Sequence, residues 1–420
     1  MNPIPEATPF ADDPIAPIHP HERLRELDVM RGFTLVGVLL VNISDFTRNS
    51  HEGLDPWWYQ ALGAATGGKF ATLFQLMFGI GFAIQMDRWR GPASHQVPRY
   101  ILRCAVLFAI GWAAEFLGSG MILVSYAMTA LGLLFFRNVR RRTLLVSGAV
   151  FLALYSSRAD QVVRSQLSSW NTRDSVTAVL RQQEATVRQN RMMSLVRQSR
   201  AQSASFFRSR SLWIQGNFER FRLGLVLPNL GTFTLFLLGM FLWRKRVFSI
   251  PAEHSRRQLL YTILALMVGL GGQLWAAQQN DNGGVRSALE QAQRRGTDFV
   301  TMTLLSLGYA SSVLLLLRTG VFARLWSLLA LQGRMGLTVF ILQNFALVWI
   351  FSDWGLGFKN LSYRWDIPLT LIITTAVLVV CRVWLGRFRS GPVEGLWRLL
   401  TYGTRGTGGK PPRAISPATS

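Results

Sequence analysis

Charge is scarce in this chain of 420 residues. Only 16% of them are Asp, Glu, Lys or Arg, against about 25% in soluble domains. The deficit goes with 50% hydrophobic residues, and these gather into blocks of roughly 15–22 residues, long enough to cross a bilayer. That excludes a soluble globular domain. Cysteine is nearly absent: Cys104 and Cys381 both fall in apolar blocks, with no CxxC partner and no nearby His, so no metal centre is expected and both read as small packing residues. Histidine occurs at His19, His21, His51, His95 and His254, none of them inside an apolar block. The first apolar block is not followed by a small-x-small cleavage pattern, which argues for a retained span rather than a signal peptide. Acidic residues number 22 against 45 basic ones, a net charge of +23. In a soluble protein that excess would point to nucleic acid. Here the basic residues lie between apolar blocks without an aromatic-basic platform, so the expected partner is the lipid bilayer and no nucleic acid.

What is present reads as an all-α, polytopic helical membrane protein of about ten transmembrane helices, with a long extracytoplasmic helical insertion. The spans are expected at 31–46, 70–86, 101–117, 121–136, 143–155, 223–243, 259–277, 299–317, 337–351 and 367–385. With the N-terminus placed in the cytoplasm, 26 of the 45 Lys and Arg fall in cytoplasmic segments, 7 in short outer loops and 12 in the insertion at 156–222. Loops longer than about 60 residues escape the positive-inside rule, so both termini are expected in the cytoplasm and the insertion outside.

The organisation follows from these blocks. A Pro-rich, disordered N-terminus is expected over 1–22, a first membrane bundle over 23–155, an amphipathic extracytoplasmic insertion over 156–222 and a second bundle over 223–388. An interfacial helix is expected over 389–402, with Val393, Leu396, Trp397 and Leu400 on one stripe, and a disordered tail over 403–420. The insertion reads as a surface helix or as a lid over an outer cavity.

Four blocks carry a family resemblance. LDVMRGFTLVGVLLVNI at 27–43, GKFATLFQLMFGIGFA at 68–83, GRMGLTVFILQ at 333–343 and RSGPVEGLWRLLTYG at 389–403 together resemble the YeiB-like family of bacterial inner-membrane proteins, built on domain of unknown function 418. The opening block is also similar, more distantly, to that of transmembrane acyltransferases. That similarity implies acyl transfer from a cytoplasmic thioester, acyl-CoA, to an envelope glycan or lipid acceptor outside. Three positions that are polar in the family pattern are apolar here: Ala114 in place of a His, Met121 in place of an Asp and Val339 in place of an Asn. Chemistry resting on those groups is lost or moved.

Acyl transfer needs a general base near the acceptor. Glu115, beside Ala114, is the first candidate, with His51 and Asp45 as catalytic partners at the outer end. Candidate binding residues are Asp28 and Arg31, neighbours on a helix three residues apart, and Asn42 on the same stripe. Lys69 and Gln75, with Thr72, form a polar stripe aimed at the bundle interior, and Arg334 and Thr338 form another from the inner end. The cytoplasmic arginines, Arg88, Arg99 and Arg103 among them, suit a phosphate-bearing donor or plain positive-inside charge. Two other readings stand beside acyl transfer. A small-molecule transporter would show inverted repeats and broken helices, and no two-half repetition is visible. A non-catalytic scaffold would use the insertion as its partner surface.

Overall fold

The structure, a computed structural model, describes residues 24–48, 57–89, 93–117, 121–157, 206–207, 211, 229–247, 255–278, 288–352, 354–358 and 361–403. The expected N-terminal and C-terminal disordered stretches, His51 and most of the insertion lie outside the described residues. Thirteen α-helices are described: α1 Arg25–Arg48, α2 Trp57–Thr66, α3 Lys69–Arg88, α4 Ala93–Leu117, α5 Met121–Leu131, α6 Arg141–Ser156, α7 Leu230–Arg244, α8 Ser255–Gln278, α9 Ala288–Thr319, α10 Ala323–Arg334, α11 Gly336–Phe351, α12 Asp366–Arg387 and α13 Pro392–Tyr402. The described residues contain no strand. This is the arrangement a bilayer demands, because a helix satisfies its own backbone polar groups where there is no water to do so.

Six of these helical stretches are long and apolar enough to cross a membrane, and a seventh crossing results if α10 and α11 count as one. Ile122–Phe136 and Leu230–Arg244 are shorter apolar helices, and α6 covers the fifth expected span. The polytopic all-α expectation therefore holds, with two differences in detail. The second span starts further out, because α2 and α3 together form one candidate crossing, Trp57–Arg88, jointed at Gly68. Gly68 has φ 77°, a left-handed backbone that glycine alone adopts without strain. The second difference is α10. The sequence reading leaves 318–334 as a cytoplasmic loop, whereas Ala323–Arg334 is helical and meets α11 at 89°.

Close approach is bought with glycine. A Cβ on Gly333 would collide with the main-chain oxygen of Asp28, and one on Gly32 with that of Leu329, so α1 and α10 touch backbone to backbone. Gly79 and Gly239 do the same for α3 and α7, against Phe236 and Leu76. Helices in lipid gain association from such van der Waals contact, which small residues permit. Around these crossings lie apolar clusters. Leu35 and Leu39 of α1 pack with Met335 at the α10–α11 break, with Val339 and Phe340 of α11 and with Ile373, Val377 and Cys381 of α12. Phe82, Tyr126, Phe233 and Phe236 centre a second cluster between α3, α5 and α7. The other extreme is α8, where Leu260, Tyr261 and Met267 are each more than 60% exposed, a rim helix suited to lipid.

Candidate functional site

The polar side chains inside the bundle are not scattered. One set runs the length of α1. At its start Asp28 is buried and its carboxylate lies 3.5 Å from the Arg31 guanidinium. Gly32 and Gly333 hold α10 against this turn, which brings Arg334 to the same level of α1. Near the far end, Asn42 Nδ2 donates to Asn344 Oδ1 at 2.9 Å, and Asn344 Nδ2 donates to the Phe340 carbonyl. Two residues beyond Asn42, Ser44 Oγ donates to Asp366 Oδ2 at 2.7 Å, and Thr47 Oγ1 donates to Asp366 Oδ1 at 2.8 Å. Asp366 is 1% exposed and opens α12, so the helix dipole adds to the two hydroxyls in stabilising its charge.

A second set joins α3, α8 and α9. Lys69 is 2% exposed. Its Nζ donates to Gln273 Oε1 at 2.5 Å, while Gln273 Nε2 donates to Asp298 Oδ1 at 2.7 Å and to Thr301 Oγ1 at 3.0 Å. An amide thus bridges a buried ammonium to a carboxylate. Ser306 Oγ donates to the Lys69 carbonyl, fixing α9 against the first turn of α3. Thr72 is buried and Gln75 half-buried on α3, inside the bundle.

A third set sits at the break between α10 and α11. Glu394 of α13 accepts from the backbone N–H of Leu337 at 2.6 Å, from that of Thr338 at 3.0 Å and from Thr338 Oγ1 at 2.5 Å. The Thr338 hydroxyl in turn accepts from the Val393 N–H. These are the orphan donors of a helix start, met by a charged cap from another element. α13 is held on its other side by α4: Trp397 Nε1 donates to the Arg103 carbonyl, and the Arg103 guanidinium stacks 3.9 Å from the Trp397 ring. Glu394, Trp397 and Thr401 face the bundle, while Leu396 and Leu400 are about half exposed, because the polar and aromatic contacts of the inward face outweigh the burial of two leucines that lipid also covers.

Glu115 is 1% exposed near the end of α4. The next residue, Phe116, packs edge-on to Phe206 of the insertion at 5.5 Å, and Phe206 to Trp354 at 4.7 Å. Asp45 is exposed on α1. The structure thus brings Asp28 and Arg31 together with the end of α10, pairs Asn42 with Asn344, and ties Lys69 into a separate corner. Among the described residues no group of three or more His, Cys, Asp or Glu could hold a metal ion.

Sequence reading missed Asp366, Gln273, Asp298, Asn344 and Glu394. Asp366 had a signal, a carboxylate directly before an apolar run. Glu394 lay inside a quoted motif, and its role depended on Thr338, 56 residues away.

Comparison with known proteins places the chain. The pattern described as "Protein of unknown function (DUF418)" matches residues 242–404, which include α8 to α13 and the break. The match and the full-length relatives support a YeiB-like DUF418 family for this chain. It is similar to "Uncharacterized protein YxaH" of Bacillus subtilis, 27% identical over 92% of this chain and 96% of the relative. It is also similar to "Uncharacterized protein YeiB" of Escherichia coli, 25% identical over 92% of this chain and 98% of the relative. No solved structure matches. The DUF418 match covers both partners of the Glu394 cap, and the α1 stretch that α10 crosses lies outside it.

Proposed function

We propose that this DUF418 protein is a relative of the membrane acyltransferases, seated in a bacterial inner membrane with both termini in the cytoplasm. It would move an acyl group from acyl-CoA to a hydroxyl of an envelope glycan or lipid outside. The observation that carries this reading is Glu115, a carboxylate 1% exposed near the end of a membrane-spanning helix. A carboxylate buried in a span is a functional-site hypothesis by default, and this one lies at the end that the orientation assigns to the acceptor. In that role Glu115 takes the acceptor proton as the hydroxyl oxygen attacks the thioester carbonyl; the C–S bond then breaks, and CoA leaves as the thiol after taking up that proton. Asp45 is assigned to the same outer end, with His51, outside the described residues, as a further candidate partner there. Asp28, Arg31 and Arg334 lie at the opposite, cytoplasmic end, where arginines suit the phosphates of the donor. Asn42, Lys69, Gln75 and Thr338 line the bundle between, with Asn42, Lys69 and Thr338 engaged by Asn344, Gln273 and Glu394.

The test uses membranes containing the full chain, supplied with labelled acetyl-CoA. Label transferred to an envelope glycan or lipid by the native chain, with at least about a hundredfold loss in Glu115→Gln, is the expected result. No transfer by the native chain, or full transfer by Glu115→Gln, overturns it.

A transporter reading has one specific observation in its favour, the 89° break between α10 and α11. Discontinuous helices are how many transporters place backbone polar groups at a substrate. Solute uptake by proteoliposomes of the purified chain, without acyl transfer, would favour it over the first.

A further inference from the structure

α13 is held at two faces by different partners. Toward the bundle, the Glu394 carboxylate closes the first turn of α11 through two backbone N–H groups and the Thr338 hydroxyl. The fit is tight: a Cβ on Gly391 would collide with Glu394 itself. Away from the bundle, Leu396, Leu399 and Leu400 are 49%, 39% and 52% exposed. A short helix with a polar, docked face and an exposed leucine face at the end of a membrane bundle has the form of an in-plane interfacial helix. Its neighbours say what covers the leucines. The α12 span leads to α13 through a turn pinned by the Trp384 indole on the Ser390 carbonyl. That span exposes Val379, Val380 and Val383 by 46–63%, a lipid-facing side continuous with the leucines of α13. Arg382, Arg387 and Arg389 are exposed along the same junction, where an anionic headgroup layer would lie.

We propose that α13 is a membrane-seated latch. Its leucine face rests in the surface of an anionic bilayer, and Glu394 transmits that seating to the first turn of α11, so that lipid contact holds the α10–α11 break in place. The break is the least self-sufficient backbone in the bundle, because α11 cannot supply partners for its own first N–H groups. Removing Glu394 therefore loosens the turn directly, and unseating α13 withdraws Glu394 with it. This holds whether the protein transfers an acyl group or carries a solute, so failure of the acyl-transfer reading leaves it standing.

The experiment is amide hydrogen exchange of the full chain in nanodiscs, read at Leu337, Thr338 and Val339. Nanodiscs of phosphatidylcholine with phosphatidylglycerol are compared with phosphatidylcholine alone. Glu394→Gln is expected to lower protection at these amides about tenfold. The triple variant Leu396→Ser, Leu399→Ser and Leu400→Ser alters the exposed face of α13 and is expected to lower it comparably. Leu264→Ser, on the exposed face of α8, serves as the control and leaves it unchanged. The native chain should lose protection when phosphatidylglycerol is omitted, a measurement that stands even if the triple variant fails to fold. Unchanged protection in Glu394→Gln, or equal protection of the native chain in both lipids, overturns the proposal. So does native-like protection in the triple-serine variant.

Discussion

Lys69 and Asp366 are both charged, almost wholly buried, and placed at the first turn of a membrane-spanning helix, yet they are satisfied by different means. Lys69 meets its counter-charge through an amide, with Gln273 receiving the ammonium and passing its own N–H groups to Asp298 and Thr301. Asp366 has hydroxyl donors from Ser44 and Thr47 and the positive end of its own helix. A cation at a helix start works against the dipole and requires an anion nearby. A carboxylate at the same place works with it and is held by neutral groups. The surrounding helices differ accordingly. The Lys69 corner joins the start of α3 to two long helices, with α8 and α9 in close contact at Gly269 and Leu305. The Asp366 side belongs to α1 and α12, next to the broken span.

The largest effect is expected where the charge depends on one bridging group. Gln273→Leu keeps the volume and leaves the Lys69 ammonium buried without its acceptor. Breaking a buried charge contact from one side costs about 3–5 kcal/mol. The double variant Lys69→Met with Gln273→Leu removes charge and bridge together and should recover most of that loss. Unfolding of the purified chain in detergent, followed for both variants, measures the coupling. Equal losses in the single and the double variant would mean that Gln273 acts by packing.

Asp366→Asn probes the other side of the comparison and should be milder. The amide keeps one oxygen for a hydroxyl and turns an N–H₂ toward the second, whose rotor can adapt. The expected cost is about 1–2 kcal/mol, measured by the same unfolding assay. A loss as large as that of Gln273→Leu would show that the carboxylate charge, and not its hydrogen-bond count, holds α1 to α12.

What could be read from the sequence and what could not divide along similar physical lines. The helical, many-span architecture is legible because apolar blocks of span length and arginine runs such as Arg140–Arg142 depend on local composition alone. The burial of Lys69 and Thr72 on one stripe of α3 follows from helical spacing. α10 was illegible as a helix of the bundle because Arg324, Ser327, Gln332 and Arg334 interrupt its apolar run, and the face it buries is set by α1, about 300 residues earlier in the chain. Gln273, Asn344 and Glu394 carry no local signal for the same reason: each is explained by a partner on another helix. The resemblance drew attention to the Glu394 motif without saying that its carboxylate caps a helix of another quoted block.

The smallest expected effect belongs to the pair near the far end of α1 that carries no charge. The Asn42–Asn344 bond ties α1 to α11 beyond the break. Interhelical hydrogen bonds between neutral groups in lipid contribute about 0.6 kcal/mol on average, because a polar side chain also finds partners in the unfolded state within the membrane. Asn42→Leu should therefore cost about 1 kcal/mol, since it also leaves the Asn344 oxygen without that donor. Asn344→Leu should cost about the same or slightly more, since Asn344 also donates to the Phe340 carbonyl. The double variant should lie close to either single one, because the second substitution removes only a group already left unsatisfied. Additive losses would instead mean that the two asparagines act independently. The bond between them would then have no share in holding α11 beside α1, and the α10–α11 break would be positioned by the glycine contact and the Glu394 cap alone.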